Sequence, residues 1–600
     1  MSKILNFCFV LALLSASCLG AATRADANTV AKHRLSDSAN NINMTAPQAS
    51  RTMLTHSKPV TASHGMVVTA QHVASQVGRR ILKDGGNAID AAVAVGYALA
   101  VVHPCCGNIG GGGFLVAHLV ANNQHQAKNV FLDFREKAPL QATQTMYQKQ
   151  NGKVDHHRIY QTYLGTGVPG TVMGLEKARK QYGTMSRQQL ITPAIKLARN
   201  GYKLTKGDVQ FLHDNTKRFK KRPNAATIFL NHGQPYHAGD VLKQPQLAHT
   251  LSLIRKNGAK AFYHGQIAKR IVRASHKHGG ILSMKDFAKY TAPWGKPIRC
   301  DYRGNTVLST PPPSSGGTTI CEILGILKPF PLAKWGYGSV QTSHDLIEAE
   351  RRAFADRNTY LGDPAFVHNP IKKLLSKSHL AALRQTIQPH QATPSNQIKG
   401  SLGPRGGRHT TQYSIVDSHG NAVSVTYTLN RFFGTGYVPA GTGVLLNDEM
   451  GDFTAKPGVP NQFGLVQGKV NDIQPGKRPL SSMAPSIVLK NGAAFIVTGS
   501  PGGPTIISTT LESMLNVIDF GFNIQQAVNA PRLHNQWLPD VTIVQPGYLT
   551  PHVRKQLKAM GHHFKTASFG ADEAILLKPK SGRLEGANDR RRSSGLAAGY

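Results

Sequence analysis

Two runs of alternating side chains, TTQYSIV (410–416) and AVSVTYT (422–428), flank the turn cluster DSHGN and predict a β-hairpin. Pairing Val416 with Ala422 across the five-residue loop places Thr410 opposite Thr428. One face then collects Thr411, Tyr413, Ile415, Val423, Val425 and Tyr427 and suits a core; the other collects Thr410, Gln412, Ser414, Ser424, Thr426 and Thr428. A one-residue slip scrambles this sorting, so the pattern selects the register. Helical periodicity covers Ala70–Lys83 and Ala88–Val102, parted by Asp84-Gly85-Gly86-Asn87, and Val130–Phe134 reads as a strand. Ser343–Tyr360 reads as a charged helix capped by Ser343. A Gly/Pro/Arg-rich linker, 399–409, precedes the hairpin and a β-rich final segment. With no second linker of that quality and no internal repeat, the 600 residues read as one large α/β unit made from two segments.

The first residues have the form of an export signal: Lys3, an apolar stretch from Ile4 to Leu14, then small residues to Ala25. The run is too short and interrupted for a membrane anchor, and lipidation at Cys18 is the weaker alternative. Residues 1–25 are therefore assigned to a signal and 26–60, polar and aperiodic, to a loose leader. The mature protein is expected to be exported, periplasmic or secreted. Outside the signal only Cys105, Cys106, Cys300 and Cys321 remain, too few for a disulfide framework, although a Cys300–Cys321 bridge is compatible with such a compartment. No cysteine–histidine spacing suggests zinc, and no metal or cofactor is assigned. The pairs His156-His157 and His562-His563 are expected at the surface.

Lysine and arginine outnumber aspartate and glutamate 70 to 31, a formal net charge of +39. Such a surface favours anionic partners and depends on salt. The charge is dispersed, and its densest run, Lys217-Arg-Phe-Lys-Lys-Arg222, carries no nucleic-acid motif, so adhesion to an anionic envelope is favoured over specific nucleic-acid binding. Gly165-Thr-Gly167-Val-Pro-Gly170 matches a dinucleotide fingerprint only by letters, because Pro169 falls in the expected helix entry. Gly110–Gly113 reads as a tight, close-packed turn.

Thr410 carries the chemical interest. A threonine there becomes nucleophile and base together if the chain is cut before it, since the new α-amine lies beside its own hydroxyl. On the hairpin alone, an amphipathic strand pair whose threonines reflect β propensity is the simpler account. Three further motifs offer complementary chemistry. Lys477-Arg-Pro-Leu-Ser481-Ser482-Met483 offers paired hydroxyls, and Gly499-Ser-Pro-Gly502-Gly503 offers consecutive N–H groups for an anion. Asp133-Phe-Arg135-Glu136 places an arginine at a strand end, where it can clamp a carboxylate.

Taken together, TTQYSIVDSHGNAVSVTYTLN, FGTG, LLNDEMGDF, KRPLSSMAPSIV and GSPGG, with DGGNAIDAAVA, GGGGF, DFREKAP, PPPSSGG and the closing AAGY, resemble the γ-glutamyltranspeptidase (glutathione hydrolase) family from about residue 60 to Tyr600. The resemblance implies an N-terminal-nucleophile hydrolase with a four-layer αββα sandwich. It also implies self-cleavage between His409 and Thr410 into a large fragment, 61–409, and a small catalytic one, 410–600, held as a heterodimer. Thr410 is then the nucleophile toward glutathione and other γ-glutamyl compounds, Thr428 orients it, and Gly502 and Gly503 supply oxyanion donors. Arg135, Ser481 and Ser482 hold the substrate α-carboxylate, and Asn430, Glu449 and Asp452 its α-ammonium. Water, or an acceptor amino acid or dipeptide, completes the reaction.

The chain departs from the common pattern in Asn447-Asp448-Glu449-Met450-Gly451-Asp452-Phe453, where many members read Asn-Asn-Gln/Glu-Met-Asp-Asp-Phe. Phe463 stands where some bacterial relatives carry a lid tyrosine, and Cys105-Cys106 is unusual. Two rivals remain: a cephalosporin or glutaryl acylase of the same fold, and a basic envelope- or nucleic-acid-binding protein with a vestigial site.

Overall fold

The computed structural model describes residues 57–121, 126–398, 410–578 and 581–600; the signal, most of the leader, the linker and His409 lie outside them. The hairpin forms in the expected register: Thr411–Val416 pairs with Ala422–Thr428, Val416 opposite Ala422 and Thr411 opposite Tyr427. It lies at the centre of a seven-stranded sheet ordered Leu596–Gly599, Met66–Thr69, Thr411–Val416, Ala422–Thr428, Gly112–Leu119, Lys128–Phe134 and Trp294–Gly295. A second seven-stranded sheet runs Val60–Ala62, Leu584–Asn588, Glu573–Leu577, Ala493–Thr498, Ser486–Lys490, Asn305–Ser309 and Ile298–Tyr302.

Alternation along the strands builds the layers. Val67, Leu115, Tyr413, Ile415, Val423 and Tyr427 pack into a core with helices His72–Lys83, Ala88–Val102, Thr171–Tyr182 and Arg187–Asn200. Their neighbours Val68, Phe114 and Val116 point the other way, into a core shared with the second sheet and helices Gly316–Leu327, Val340–Tyr360 and Thr505–Ile518. The result is the expected four-layer αββα sandwich. The hairpin's polar face is also buried. Gln412 Nε2 donates to Ser424 Oγ (2.9 Å), Ser414 Oγ to the Glu573 carbonyl (2.6 Å) and Ser424 Oγ to the Thr498 carbonyl (2.9 Å), so polar side chains bridge the two sheets.

Helix Ala88–Val102 matches its predicted bounds because Asn87 and Asp90 form a capping box, and all its residues are buried. The charged helix differs from expectation. It spans Val340–Tyr360 and is capped by Ser339, whose side chain accepts the Thr342 N–H, while Ser343 is buried inside it. Its charges are internal too, Glu348 pairing with Arg351 and Arg352. His562 is likewise not at the surface: its Nε2 lies 2.8 Å from His344 Nδ1, and burial pushes its pKa down to about 3. At the leader's end Ser57 is buried and Val60 begins a strand, so residues 57–60 belong to the fold. Cys300 and Cys321 form a disulfide joining an edge strand to helix Gly316–Leu327.

The glycine run at 110–113 is packed against backbone, as expected, but it is not a turn throughout: Gly112 and Gly113 open the strand Gly112–Leu119. A Cβ on Gly111 would overlap the Thr428 carbonyl oxygen, and one on Gly113 the Thr426 carbonyl. Gly111→Ala must therefore displace the strand end bearing Thr428. Thermal unfolding is expected to show a loss of about 1–3 kcal/mol or more, with impaired turnover; an unchanged melting temperature counts against this packing.

Candidate active site

Thr410 stands one residue before its strand, at φ +129°, a conformation unfavourable for a β-branched side chain. Its hydroxyl donates to Thr428 Oγ1 at 3.2 Å, and Thr428 Oγ1 also accepts the Asn430 N–H at 2.8 Å. Strand register thus delivers the two hydroxyls side by side. They open on a narrow cavity of about 20 Å³, lined also by Arg135, Asn430, Glu449, Asp452, Ser481, Ser482 and Gly503. Every sequence-predicted site residue in the described chain lines this cavity except Gly502, which adjoins it through Gly503. Gly502 (φ +145°) and Gly503 (φ +59°) link the Ala493–Thr498 strand to helix Thr505–Ile518 through a bend that disfavours any side chain.

Arg135, at the end of strand Lys128–Phe134, is fully buried. Its Nη1 pairs with Glu449 Oε1, its Nη2 with Asp452 Oδ2 at 2.6 Å, and Nη1 lies 3.4 Å from Glu136 Oε2. Burial raises the Glu449 pKa well above the usual range, and Arg135 opposes it. Glu449 Oε2 and Asp452 Oδ1 are buried without a hydrogen-bond partner. Two unpartnered oxygens on cavity-lining carboxyl groups leave places for hydrogen-bond donors from a bound molecule.

Asn430 (φ +71°) donates to the Asp448 carbonyl at 2.9 Å and accepts from Gln462 Nε2 at 2.8 Å. Asn447 explains the glycine letters that mimic a nucleotide motif. Its Nδ2 donates to the Gly110 and Gly167 carbonyls (both 2.8 Å) and its Oδ1 accepts from Gly167 N (2.9 Å), tying two loops to the Glu449 turn. Burial pushes Asp448 up to about 6. The paired serines are fixed from below by PPPSSGG: Ser315 N and Oγ both donate to the Ser481 carbonyl, and Ser314 Oγ to that of Met483.

Sequence reasoning missed Arg357. It reaches the cavity from the buried Val340–Tyr360 helix, donating to Ser482 Oγ (3.1 Å) and Ser315 Oγ (3.0 Å), and burial pushes its pKa down to about 10. The signal was present in ERRAFADRNTY, but a charged helix reads as solvated. Arg218, in the densest basic run, is likewise structural, donating to the Phe432 and Gly434 carbonyls behind the Asn430 loop. Among the described residues, His103/Cys105/Cys106 and Glu322/Asp356/His379 could each hold a metal ion; neither group lines the cavity.

The γ-glutamyltranspeptidase family model matches residues 74–599. The chain belongs to that family. It is 52% identical over 552 residues to a glutathione hydrolase proenzyme of Pseudomonas sp. (strain A14), covering 90% of this chain and 95% of that one. Among solved structures it is similar to the γ-glutamyltranspeptidase of Helicobacter pylori (46% identity, TM-score 0.53, 55% of this chain and 93% of that chain). It is also similar to a cephalosporin acylase from Bacillus halodurans (28% identity, TM-score 0.78, 90% of this chain and 97% of that chain).

Glu136 gives this γ-glutamyltranspeptidase-family site a pH signature. Burial, opposed by Arg135, pushes its pKa up to about 7, against ~4.3 when unfolded. The stability this contributes is complete below ~4.3 and is lost as pH rises to about 7. Glu136→Gln is expected to flatten the fall in melting temperature between roughly pH 4 and 7, and equal slopes for the two proteins would refute the assignment.

Proposed function

We propose that this chain is a self-processing γ-glutamyltransferase and glutathione hydrolase, cut between His409 and Thr410. The Thr410 hydroxyl attacks the preceding carbonyl; the C–O bond forms as the C–N bond breaks, and water hydrolyses the ester. The positive φ at Thr410 supports this, because cutting abolishes the torsional constraint on that residue. The freed α-amine titrates near ~8 and serves as base for the adjacent hydroxyl. Residues 61–409 and 410–600 then form the two subunits.

The observation that carries the substrate reading is the Arg135–Glu449–Asp452 cluster with its two unsatisfied carboxylate oxygens. A γ-glutamyl head brings a carboxylate for Arg135, Ser481 and Ser482, and an ammonium for Glu449, Asp452 and Asn430. Each charge taken from the internal pair is thereby replaced. A glutaryl head has only the carboxylate, so it would draw Arg135 away and leave buried carboxylates uncompensated. This favours γ-glutamyl compounds over the acylase alternative, which the similarity to cephalosporin acylase keeps as the second reading. An intact Thr410–Thr428 pair argues against a vestigial site on an envelope- or nucleic-acid-binding protein. Thr410 Oγ1 attacks the γ-amide carbonyl, and the Gly502 and Gly503 N–H groups receive the oxyanion. Water or an acceptor amine releases the glutamyl group. The apolar start of the chain supports export to the periplasm or beyond, and the +39 charge an affinity for anionic envelope surfaces.

Purified protein is expected as two fragments, the smaller beginning at Thr410, while Thr410→Ala remains one inactive chain; an uncut wild type that hydrolyses glutathione would overturn the mechanism. Preference for a glutaryl amide over glutathione would instead move the chain to the acylases. Arg357→Gln, which frees Ser482, is expected to raise KM for glutathione about tenfold, equivalent to ~1.4 kcal/mol, with a smaller change in kcat. Phe463, which lines the cavity, lacks the lid hydroxyl; matched kinetics should show slower product release in Phe463→Tyr, and identical constants would dismiss this role.

A further inference from the structure

Cys105 and Cys106 take no part in γ-glutamyl chemistry, yet they are built into a convergent donor set. Helix Ala88–Val102 ends at His103, whose carbonyl accepts the Cys106 N–H (3.1 Å) and the Gly107 N–H (2.9 Å). The tight turn folds both thiols back over the imidazole. One donor atom from each of His103, Cys105 and Cys106 lies within 4.8 Å of the others, and Cys105 Sγ is 3.4 Å from His103 Nε2. All three residues are buried. The backbone beneath is held firmly: Asn108 Nδ2 donates to the Cys106 carbonyl (3.0 Å) and to that of Thr428 (2.8 Å), and Phe433 N to that of Cys105 (2.8 Å). A void of only about 10 Å³, at the lower limit for a single water, lies against His103 and Cys105.

Buried thiols often act only as small apolar side chains. Packing alone does not require two thiols and an imidazole to converge beside a cavity. We propose that His103, Cys105 and Cys106 form a three-coordinate site for a thiophilic monovalent cation, Cu(I).

Coordination number selects the ion. Bonds of about 2.0–2.3 Å in a trigonal arrangement place donors roughly 4 Å apart, close to the separations already present. Zinc completes its tetrahedron with a fourth protein ligand or a water; among the described residues no fourth histidine, cysteine or carboxylate joins the group, and the adjoining void of about 10 Å³ offers no space for a water beyond the ion itself. Asp208 lines the same cavity, but its Oδ2 accepts from Thr205 N (2.9 Å) and Oγ1 (2.7 Å). Soft thiolates with one imidazole suit Cu(I). Binding breaks two S–H bonds, forms two S–Cu bonds and releases two protons to solvent, with copper remaining +1 throughout. The complex then carries one net negative charge. Arg592 Nη1 hydrogen-bonds His103 Nε2 at 3.4 Å; it must yield that lone pair to the ion, and from its place beside the site it opposes the charge.

The test is an anaerobic titration of the purified protein, its Cys300–Cys321 bridge intact, with Cu(I) in competition with bathocuproine disulfonate. One equivalent per chain is expected, with thiolate-to-copper absorption in the near ultraviolet and copper-edge X-ray absorption reporting two sulfurs and one nitrogen. Cys105→Ser/Cys106→Ser should lose that equivalent while retaining glutathione turnover, which shows it is folded, and Zn(II) should bind at least 100-fold more weakly. If the double variant does not fold, the wild-type X-ray absorption decides. The proposal fails if no stoichiometric copper is taken up, if the folded double variant still takes it, or if the absorption shows no sulfur ligands. It also fails if intact mass shows a Cys105–Cys106 disulfide that a thiol reductant does not open.

Discussion

The burial of one guanidinium organises the catalytic end of the molecule. Arg135 has no exposed surface and must be matched by charge and hydrogen bonds, because an unpaired buried cation costs several kcal/mol. Its partners come from separate stretches: Glu136 beside it, Glu449 and Asp452 from a turn three hundred residues on, and the Pro479 carbonyl, which accepts from Nε at 3.2 Å. Meeting those demands draws the strand end, the Glu449 turn and the paired-serine loop to one point. Three carboxylates around one guanidinium leave room for a further cation, which is the basis of the proposed preference for a zwitterionic head.

Other supports act by excluded volume rather than charge. Gly110 to Gly113 bring backbone against backbone at the Thr428 end of the central strand, and Asn447 fastens two glycine loops to the Glu449 turn. The hydroxyl pair is therefore held by strand register, the charged cluster by Arg135, and the relation between them by close contacts that admit no side chain.

The features legible in the sequence were those governed by local period and spacing. Alternation in 410–428 determined register, and with it the Thr410–Thr428 contact. The Asp84-Gly85-Gly86-Asn87 break marked one helix start to the residue. Alternation could not say that the polar face of the hairpin meets a second polar layer instead of water, since both environments select Ser, Thr and Gln. The same ambiguity hid Arg357, because charges that read as solvated are paired internally in the Val340–Tyr360 helix. Ser339 and Ser343 are the same residue type four positions apart, and composition alone does not say that the first caps the helix while the second is buried inside it. His562 is buried by a partner 218 positions away, beyond the reach of any local pattern.

The strand order carries a consequence for how such a molecule is made. In the first sheet Met66–Thr69 lies between Leu596–Gly599 and Thr411–Val416, and in the second Val60–Ala62 and Asn305–Ser309 flank strands from beyond residue 410. The Tyr600 carbonyl accepts the Ser63 and His64 N–H groups. The proposed cut before Thr410 would therefore not divide two bodies that meet at a surface; the stretches on either side of it share both sheets. Halves interleaved in this way would have no separate native forms to dock, so the intact chain would have to fold before it was opened, and dissociation would be equivalent to unfolding.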